Sequence, residues 1–474
     1  MKVLYCTSEA VPFAASGGLR DVSGSLPKAL AAQGVDARVI MPLYGQIKEK
    51  YIDELKFVDS FNVSLSWRNQ YCGVFTMEYQ GVIYYFLDNE YYFYRPGLYG
   101  YYDDGERFAF FSKAILETLL HIDFGPDIIH TNDWQTALVN LYINIYYRHL
   151  PKFYGIKTVF TIHNIRYQGQ YGLDMIGDLL GVPQHWAHHL EYNGDTNFMK
   201  AAIENADKVT TVSPTYAQEI LDPWFAHGLD TILRQRQFKM WGILNGIDYD
   251  EYNPKTDKMI VKNYHADAFV RNKAVCKREL RSIFGLEDDD SPVIAMVTRL
   301  VEHKGLDLVK DVLLGLTDRG YQFVLLGSGD TAYEEFFKNF ADRHPGRVGV
   351  KIGFIPELAR KIYAGSDMFL MPSKSEPCGL SQMIALRYGS VPIVRETGGL
   401  KDSVKDTMNG DGNGFTFANY SSAELYDCCM RAFDGYQDKE GWKILTKRRM
   451  KWDCSWKNSA SEYIRMYNAC LELW

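Results

Sequence analysis

The sequence lacks several features that would place it in common protein classes. It has no run of about 18 apolar residues, the length that a helix needs to cross a bilayer, which excludes a membrane span. Its eight cysteines include no C-x-x-C pair and no zinc-type spacing with histidine, so we expect reduced, structural thiols. The 52 lysines and arginines are outnumbered by 59 aspartates and glutamates, giving a net charge of −7. Neither a nucleic acid nor an anionic membrane surface is therefore predicted as a partner.

Signatures of several enzyme classes are missing too. Neither the dinucleotide fingerprint G-x-G-x-x-G nor the phosphate-loop pattern G-x-x-x-x-G-K-[ST] occurs, which disfavours a nicotinamide or flavin dehydrogenase. No H-E-x-x-H zinc helix is present, and no Ser-His-Asp or Cys-His order can be defended. The N-terminus turns polar at Thr7, too early for the apolar part of a signal peptide, so we expect a cytoplasmic protein that begins with its first strand.

The pattern that is present alternates short β-branched or apolar runs with amphipathic stretches. This alternation is typical of parallel sheets flanked by helices. A polar, proline-containing stretch near 248–258 separates two such halves, and a chain of 474 residues fits two or three domains. The predicted strands are 3–6, 39–41, 82–87, 127–130, 158–163 and 209–213 in the first half, and 293–297, 323–327, 348–352, 368–371 and 391–394 in the second.

We therefore predict an α/β protein with two doubly wound, Rossmann-like domains. The first covers 1–250, the second covers 251–455, and a last helix at 456–474 packs back on the first domain. That helix is expected to present one apolar face, formed by Tyr463, Ile464, Tyr467, Leu471 and Trp474. Two sheets of this kind, facing each other, place their ligand crevice at the carboxyl ends of the strands.

Aromatic residues are abundant, with 33 tyrosines, 26 phenylalanines and 9 tryptophans. Ten of the 21 residues in 91–111 are aromatic. Flat apolar faces with hydrogen-bonding edges suit sugar rings, but a tyrosine-rich core explains such a stretch equally well. The sequence leaves both interpretations open.

Two segments of the second half carry charge where strands are predicted to end. Segment 298–305 (TRLVEHKG) contains Arg299 and Lys304, two cations that could hold a diphosphate and stabilise a departing nucleotide. Segment 372–381 (PSKSEPCGLS) places Glu376 in a turn, followed by a helix that is predicted to begin near Pro377. That helix start would direct backbone N–H groups at an anion. An ordinary surface loop and a helix-start acid are the alternative explanations.

The first half carries glycines and polar strand ends. Gly17 and Gly18 precede a predicted helix, where a backbone without side chains lets a ligand approach closely. Their segment, 16–21 (SGGLRD), is echoed at 397–402 (TGGLKD), which suggests two similarly wound halves. Segments 130–134 (HTNDW) and 161–164 (TIHN) end two predicted strands and therefore point to the same edge, although a single histidine is more often structural.

Taken together, these segments closely resemble the bacterial glycogen synthase and plant starch synthase family of retaining GT-B glycosyltransferases. The resemblance extends over essentially the whole chain. Its most specific parts are 8–13 (SEAVPF), 17–19 (GGL), 161–164 (TIHN), 167–169 (YQG), 206–216 (ADKVTTVSPTY), 243–248 (ILNGID) and 376–380 (EPCGL). It implies the GT-B fold, in which two Rossmann-like domains face an interdomain cleft.

The resemblance also implies a reaction, the transfer of glucose from ADP-glucose to the non-reducing end of an α-1,4-glucan with retention of configuration. No metal or other cofactor is implied. The implied catalytic residues are His163, Arg299, Lys304 and Glu376. The implied donor-binding residues are Gly17, Gly18, Asn245, Phe354, Cys378, Gly379, Leu380 and Ser381. Asp133 and Asn164 are implied on the acceptor side.

Two positions distinguish this chain within the wider group. Ala15 stands where plant and enteric members usually have lysine, which removes one donor-phosphate charge and bears on the choice of nucleotide. Ile384 stands where related transferases carry a second glutamate for the ribose, which argues against a sucrose- or trehalose-type enzyme. The alternatives are another GT-B transferase with a different donor or acceptor, and a catalytically silent glucan-binding protein.

Overall fold

The computed structural model describes residues 1–472, apart from the side chain of Asn409. The chain forms two compact units, one made of Met1–Ile243 and the chain from Trp456 onward, the other of Leu244–Ser455. Each unit is built around a largely parallel sheet with helical connections, so the predicted α/β class with two doubly wound sheets is confirmed. The expected contribution of Trp474 to the last helix lies outside the described residues.

The first unit contains a nine-stranded sheet with the order β12-β11-β7-β6-β1-β2-β5-β4-β3. Its strands pair in parallel except at β3–β4 and β4–β5, which form an antiparallel meander at one edge. The strands are β1 Lys2–Cys6, β2 Asp36–Pro42, β3 Lys56–Leu65, β4 Arg68–Tyr79, β5 Val82–Asp88, β6 Ile128–Asn132, β7 Lys157–Ile162, β8 Gln170–Tyr171, β9 Glu191–Tyr192, β10 Asp195–Asn197, β11 Lys208–Thr211 and β12 Met240–Gly242. Strands β8, β10 and β9 form a separate small antiparallel sheet.

The helices of the first unit connect these strands. They are α1 Leu19–Ala31, α2 Gly45–Tyr51, α3 Glu90–Phe93, α4 Asp104–His121, α5 Asp133–Thr136, α6 Leu138–Tyr142, α7 Met175–Asp178, α8 Phe198–Asn205, α9 Pro214–Glu219, α10 Pro223–Ala226 and α11 Asp230–Gln235. A π-helical turn, Ile143–Tyr147, continues α6, and 3-10 turns occur at Pro151–Phe153, Gln184–His189 and Gln237–Lys239.

The second unit contains a six-stranded, fully parallel sheet with the order β15-β14-β13-β16-β17-β18. Its strands are β13 Val293–Val297, β14 Gln322–Gly327, β15 Val348–Ile352, β16 Met368–Met371, β17 Val391–Arg395 and β18 Phe415–Phe417. Its helices are α12 Val270–Phe284, α13 Leu306–Arg319, α14 Thr331–Arg343, α15 Pro356–Gly365, α16 Ser381–Arg387, α17 Gly398–Ser403, α18 Ser422–Gln437 and α19 Lys439–Met450, with 3-10 turns at Glu302–Lys304 and Thr407–Asn409. Apolar side chains of the sheet, α13 and α18 form its core.

Both sheets reverse their strand order next to the strand that begins them. In the first unit β1 lies between β2 and β6, and in the second unit β13 lies between β14 and β16. Connections on either side of such a reversal leave in opposite directions, which opens a crevice at the carboxyl ends of the two strands. The loops after β1, β6, β13 and β16 are therefore the places where the fold favours ligand binding.

The predicted strands agree closely with those observed. All eleven are found, and three of them, β13, β15 and β16, have the predicted bounds. The prediction missed the β3–β4 hairpin because β3 buries few of its side chains and so lacks an apolar signal. The short strands β8, β9, β10, β12 and β18 were missed as well.

The last helix, α20 (Trp456–Leu471), belongs to the first unit. Its buried face includes Tyr463, Met466 and Tyr467. The Tyr467 hydroxyl lies 2.6 Å from Nδ1 of His130 in β6, whose Nε2 lies 2.6 Å from the Thr161 hydroxyl. His130 is thus a buried structural residue, and burial lowers its pKa to about 3. Within residues 1–472, no helix is both long and apolar enough to cross a membrane.

The contact between Tyr467 and His130 leads to a stability prediction. Tyr467→Phe keeps the ring but leaves His130 Nδ1 buried without its partner, which should lower the free energy of unfolding by about 1–3 kcal/mol. The matched control is Tyr154→Phe, because Tyr154 is 65% exposed and its hydroxyl donates to the His149 carbonyl at 3.1 Å. Its expected cost is below about 0.5 kcal/mol. Urea unfolding measures both, and equal effects would contradict a stabilising role for this contact.

Candidate active site

Two of the predicted residues meet at the carboxyl edge of the second sheet. Lys304 ends the turn that follows β13, and Glu376 lies in the loop that follows β16, the strand next to β13. The Lys304 ammonium donates to Glu376 Oε2 at 2.6 Å, and the Ser373 hydroxyl donates to the same oxygen at 3.1 Å. The two side chains are 16% and 10% exposed, so this ion pair is largely removed from water. Oε1 of Glu376 has no partner among the described residues.

Close backbone contacts hold the Glu376 loop. The Gly399 N–H donates to the carbonyl of Glu376 at 3.1 Å. A Cβ at Gly398 would lie 2.0 Å from the Glu376 carbonyl oxygen, and a Cβ at Gly399 would lie 2.2 Å from the Cys378 carbonyl oxygen. Only glycine fits these two positions. Arg395 completes the support by donating to the carbonyls of Ser373 and Lys374 at 2.8 and 2.6 Å.

The helix after Glu376 begins later than predicted. Helix α16 starts at Ser381, with Leu380 as its N-cap, so the expectation that Pro377 stands near the first helical position is wrong. The cause is Gly379, whose φ of +71° takes the backbone out of the helical region. Gly379 and Leu380 therefore belong to the loop. The Gln382 side chain anchors this loop by donating to the carbonyls of Cys378 and Gly379 at 3.1 and 2.9 Å.

Cys378 itself is buried and chemically quiet. Burial raises the pKa of its thiol to about 12, although the backbone N–H of Asn245 opposes that shift. The contact also places Asn245 beside the Glu376 loop. Asn245 is buried, and its Oδ1 has no hydrogen-bond partner within residues 1–472. A buried acceptor of this kind is available to a ligand donor.

Arg299 and Phe354 lie at the carboxyl edge of the same sheet. Arg299 follows β13, is exposed, and makes no ion pair with any described residue. Phe354 follows β15 and is 76% exposed. The Arg299 guanidinium and the Phe354 ring are thus both accessible at the carboxyl edge of the second sheet, where the Lys304–Glu376 pair also lies.

Asp133 and His163 come together in the first unit, at the ends of the paired strands β6 and β7. Asp133 Oδ1 accepts the backbone N–H groups of His163 and Asn164 at 2.7 and 3.3 Å. The backbone of Asp133 adopts φ +55°, which is uncommon for any residue but glycine. The strained Asp133 therefore holds the His163–Asn164 segment directly.

The hydrogen bonds of Asn132 fix the tautomer of His163. The Asn132 amide nitrogen donates to the Cys6 carbonyl at 2.9 Å, so its Oδ1 faces His163 Nε2 at 2.8 Å. Nε2 must then carry the proton, which leaves Nδ1 as an acceptor. Burial lowers the pKa of His163 to about 3, so the ring is neutral at pH 7. Burial raises the pKa of Asp133 to about 7. The two N–H donors lower this pKa, and the negative charge of Glu9 raises it further.

The predicted glycines follow β1, at the reversal of the first sheet. Gly17 and Gly18 are exposed and stand directly before α1. Glu9, in the same connection, accepts the backbone N–H groups of Ser16 and Gly17 on Oε2, at 2.6 and 2.9 Å. Segment 8–13 belongs to the motifs that the sequence analysis singled out, but nothing in the sequence indicated this contact.

Half of the ten aromatic side chains in the stretch 91–111 belong to the core. Tyr92, Phe93, Phe108, Phe110 and Phe111 are buried. Tyr91, Tyr94 and Tyr102 are exposed, and Tyr99 donates from its hydroxyl to Glu9 Oε1 at 3.3 Å. In the described part of the chain, no three histidine, cysteine, aspartate or glutamate side chains are grouped so that they could hold a metal ion.

Comparison with known proteins decides the family. Residues 2–235 match the family described as starch synthase catalytic domain, and residues 278–443 match glycosyl transferases group 1. The chain is 48% identical to the glycogen synthase of Bacillus anthracis and 49% identical to that of Caldicellulosiruptor saccharolyticus, each over 100% of both chains. The chain belongs to the glycogen and starch synthase family. It is a glucosyltransferase, as the sequence resemblance predicted.

Solved structures agree with this assignment. The catalytic domain of starch synthase IV from Arabidopsis thaliana, solved with ADP and acarbose, matches with a TM-score of 0.89 and 34% identity over 99% of both chains. Sucrose-phosphate synthase from Thermosynechococcus elongatus matches with a TM-score of 0.58 at 16% identity, over 99% of this chain and 98% of that one, which is a likeness of fold alone. The predicted GT-B class is confirmed.

The environment of Asp133 predicts a pH dependence of stability. The ordinary pKa of aspartate is near 3.8, and the pKa of Asp133 in the folded protein is about 7. Between pH 3.8 and pH 7 the folded protein therefore keeps a proton on Asp133 that the unfolded chain has lost. The free energy of unfolding of the wild type, relative to Asp133→Asn, should therefore fall as pH rises from 4 to 7, by at most about 1.4 kcal/mol per pH unit.

Asparagine keeps the oxygen that accepts both N–H groups, so the comparison isolates the charge of residue 133. Urea unfolding of both proteins at several pH values and constant ionic strength gives the difference. A difference independent of pH would show that Asp133 ionises normally in the folded protein.

Proposed function

We propose that the protein lengthens an α-1,4-glucan by transferring glucose from ADP-glucose to its non-reducing end, with retention of configuration. In this reaction the bond between glucose C1 and the diphosphate oxygen breaks and its electron pair leaves with ADP, while a bond forms from C1 to a glucan hydroxyl oxygen, whose proton is released. Support comes from the family membership and from the Lys304–Glu376 pair at the reversal of the second sheet. The related starch synthase IV structure contains ADP and acarbose.

The second unit is proposed to bind the donor. Lys304 and Arg299 neutralise the diphosphate, and they gain strength as its charge increases when the glucosyl bond breaks. Lys304 is then shared between Glu376 and the phosphate, while Oε1 of Glu376 accepts hydrogen bonds from glucose hydroxyls. The free Oδ1 of Asn245 supports this assignment, since it offers a buried acceptor beside the same loop.

The remaining donor contacts follow the same logic. The exposed ring of Phe354 offers a stacking surface for the base. The backbone of Gly379 and Leu380 belongs to the loop that contains Glu376, and Ser381 begins α16, so their N–H groups are proposed to help bind the donor. Cys378 lies in the same loop, and its thiol is buried and takes no chemical role.

The first unit is proposed to supply the reacting face and the acceptor side. A neutral His163 with an acceptor at Nδ1 suits a sugar hydroxyl, which is a hydrogen-bond donor. Asp133 and Asn164 lie on the same two strand ends. Gly17 and Gly18 leave room for a close approach of the donor to this unit. The eight buried, unpaired cysteines suit a reducing compartment, so we infer that the enzyme acts in the cytoplasm.

The two distinguishing positions bear on the choice of substrate. Ala15 is exposed and supplies no cation next to the glycines, so the donor phosphates depend more on Arg299 and Lys304. Ile384 is buried in α16 and cannot bind a ribose as a carboxylate would. The competing functions are a transferase for another donor or acceptor and a silent glucan-binding protein.

The deciding experiment incubates the protein with glycogen and either ADP-glucose or UDP-glucose. It measures the release of the nucleoside diphosphate, ADP or UDP, together with glucan lengthening. We expect ADP release that depends on glycogen. Turnover with UDP-glucose alone would indicate another donor. Glycogen binding without release of either nucleotide would indicate the silent homologue.

The donor assignment predicts the effect of removing one cation. Lys304→Ala should lower kcat by about 10²–10³, because a charge that stabilises the leaving diphosphate is lost in the transition state. The matched control is Lys338→Ala, which removes an exposed lysine of α14 in the same unit and should leave kcat within about twofold. Steady-state kinetics with a thermal melt separate activity from folding, and an unchanged kcat for Lys304→Ala would remove this residue from the mechanism.

A further inference from the structure

A buried carboxylate occupies the inner side of the glycine turn in the first unit. Glu9 is 4% exposed and lies three residues after β1. Its Oε2 accepts the N–H groups of Ser16 and Gly17, and its Oε1 accepts the Tyr99 hydroxyl at 3.3 Å. The glycine turn is thus tied to a fixed point next to β1 by two charge-assisted hydrogen bonds.

These bonds decide which backbone groups a ligand could use. The N–H groups of Ser16 and Gly17 are already satisfied by Glu9, so they cannot also bind a diphosphate. Gly18 is different, because a Cβ placed there would meet no described heavy atom within 4 Å. Gly18 is the N-cap of the 13-residue helix α1, and the first N–H groups of a helix have no partner within it.

We propose that Glu9 is a positioning residue that fixes the Ser16–Gly17 backbone so that Gly18 and the first turn of α1 face the donor. The proposal rests on the proposed function, since it assumes that this turn receives the donor diphosphate. A carboxylate near a diphosphate would be repulsive if it were free, but here two N–H groups and a hydroxyl engage its oxygens. Its part is to hold the turn, and it touches no reacting atom.

Three variants separate this role from the alternatives. Glu9→Ala removes the acceptor, and a turn displaced by about 1 Å should lower kcat/KM for ADP-glucose by about 10- to 100-fold. Glu9→Gln keeps one oxygen for both N–H groups, and its amide nitrogen can donate to the Tyr99 oxygen, so activity should stay within about fivefold of the wild type. Glu9→Asp keeps the charge, but its side chain is one methylene shorter and the carboxylate no longer reaches the two N–H groups. The activity of Glu9→Asp should therefore be well below that of Glu9→Gln.

A matched control tests whether removing any carboxylate that accepts a backbone N–H lowers kcat/KM in the same way. Asp207 in the same unit also accepts a backbone N–H, that of Thr158, at 2.7 Å. Asp207→Ala should lower the melting temperature while kcat and KM change less than twofold. A merely structural role for Glu9 would give the same result in Glu9→Ala, with normal kinetics in the folded protein.

Amide hydrogen exchange supplies a readout that does not depend on turnover. The amides of Ser16 and Gly17 should exchange slowly in the wild type and in Glu9→Gln, and at least about tenfold faster in Glu9→Ala. If the wild type shows this protection but does not use ADP-glucose, the proposed function fails and the contact stands. If Glu9→Ala does not fold, the order of Glu9→Gln and Glu9→Asp decides. Activity that follows charge, with Asp above Gln, would overturn the proposal.

Discussion

The reversal of strand order beside β1 and beside β13 is the constraint on which the rest of this protein depends. Parallel strands place all their carboxyl ends at one edge, and only at the reversal do the neighbouring connections separate enough to admit a ligand. Glu9 and the glycine turn follow β1, Asp133 follows β6, Lys304 follows β13, and Glu376 follows β16. Within each unit, topology alone therefore brings residues that are far apart in sequence to the same edge of the sheet.

At the reversal of strand order beside β13, the positive charge of Lys304 is balanced by a side chain of the protein itself. A lysine that is only 16% exposed would lose much of its hydration, and Glu376 compensates for that loss at 2.6 Å. The carboxylate is itself fixed by Ser373 and by backbone contacts that require glycine at 398 and 399. If the donor diphosphate binds as proposed, it meets a cation whose position is already set, so little reorganisation is needed. This preorganisation links the packing of the loop to the proposed chemistry.

Sequence patterns predicted the parallel strands of both sheets, apart from the three-residue strands β12 and β18, because buried strands are apolar on both faces, as β13 and β16 show. The β3–β4 hairpin escaped because β3 is mostly exposed. The start of α16 was misplaced because proline is common at the first position of a helix, which favoured Pro377. That Gly379 adopts a positive φ cannot be predicted from its residue type alone. Contacts such as Glu9 with Gly17, or Gln382 with Cys378, depend on the path of a loop, and no local periodicity records that path.

The echoed segments 16–21 and 397–402 show how one short pattern serves two purposes. In the second unit both glycines are pressed against the backbone of the Glu376 loop, at distances that exclude any side chain. In the first unit a side-chain carboxylate holds Ser16 and Gly17, and the space beside Gly18 is open in the described structure. Glycine is required for packing in one unit and leaves access for a ligand in the other. Only the pair at 17–18 therefore fits a binding role, although the two sequences are nearly the same.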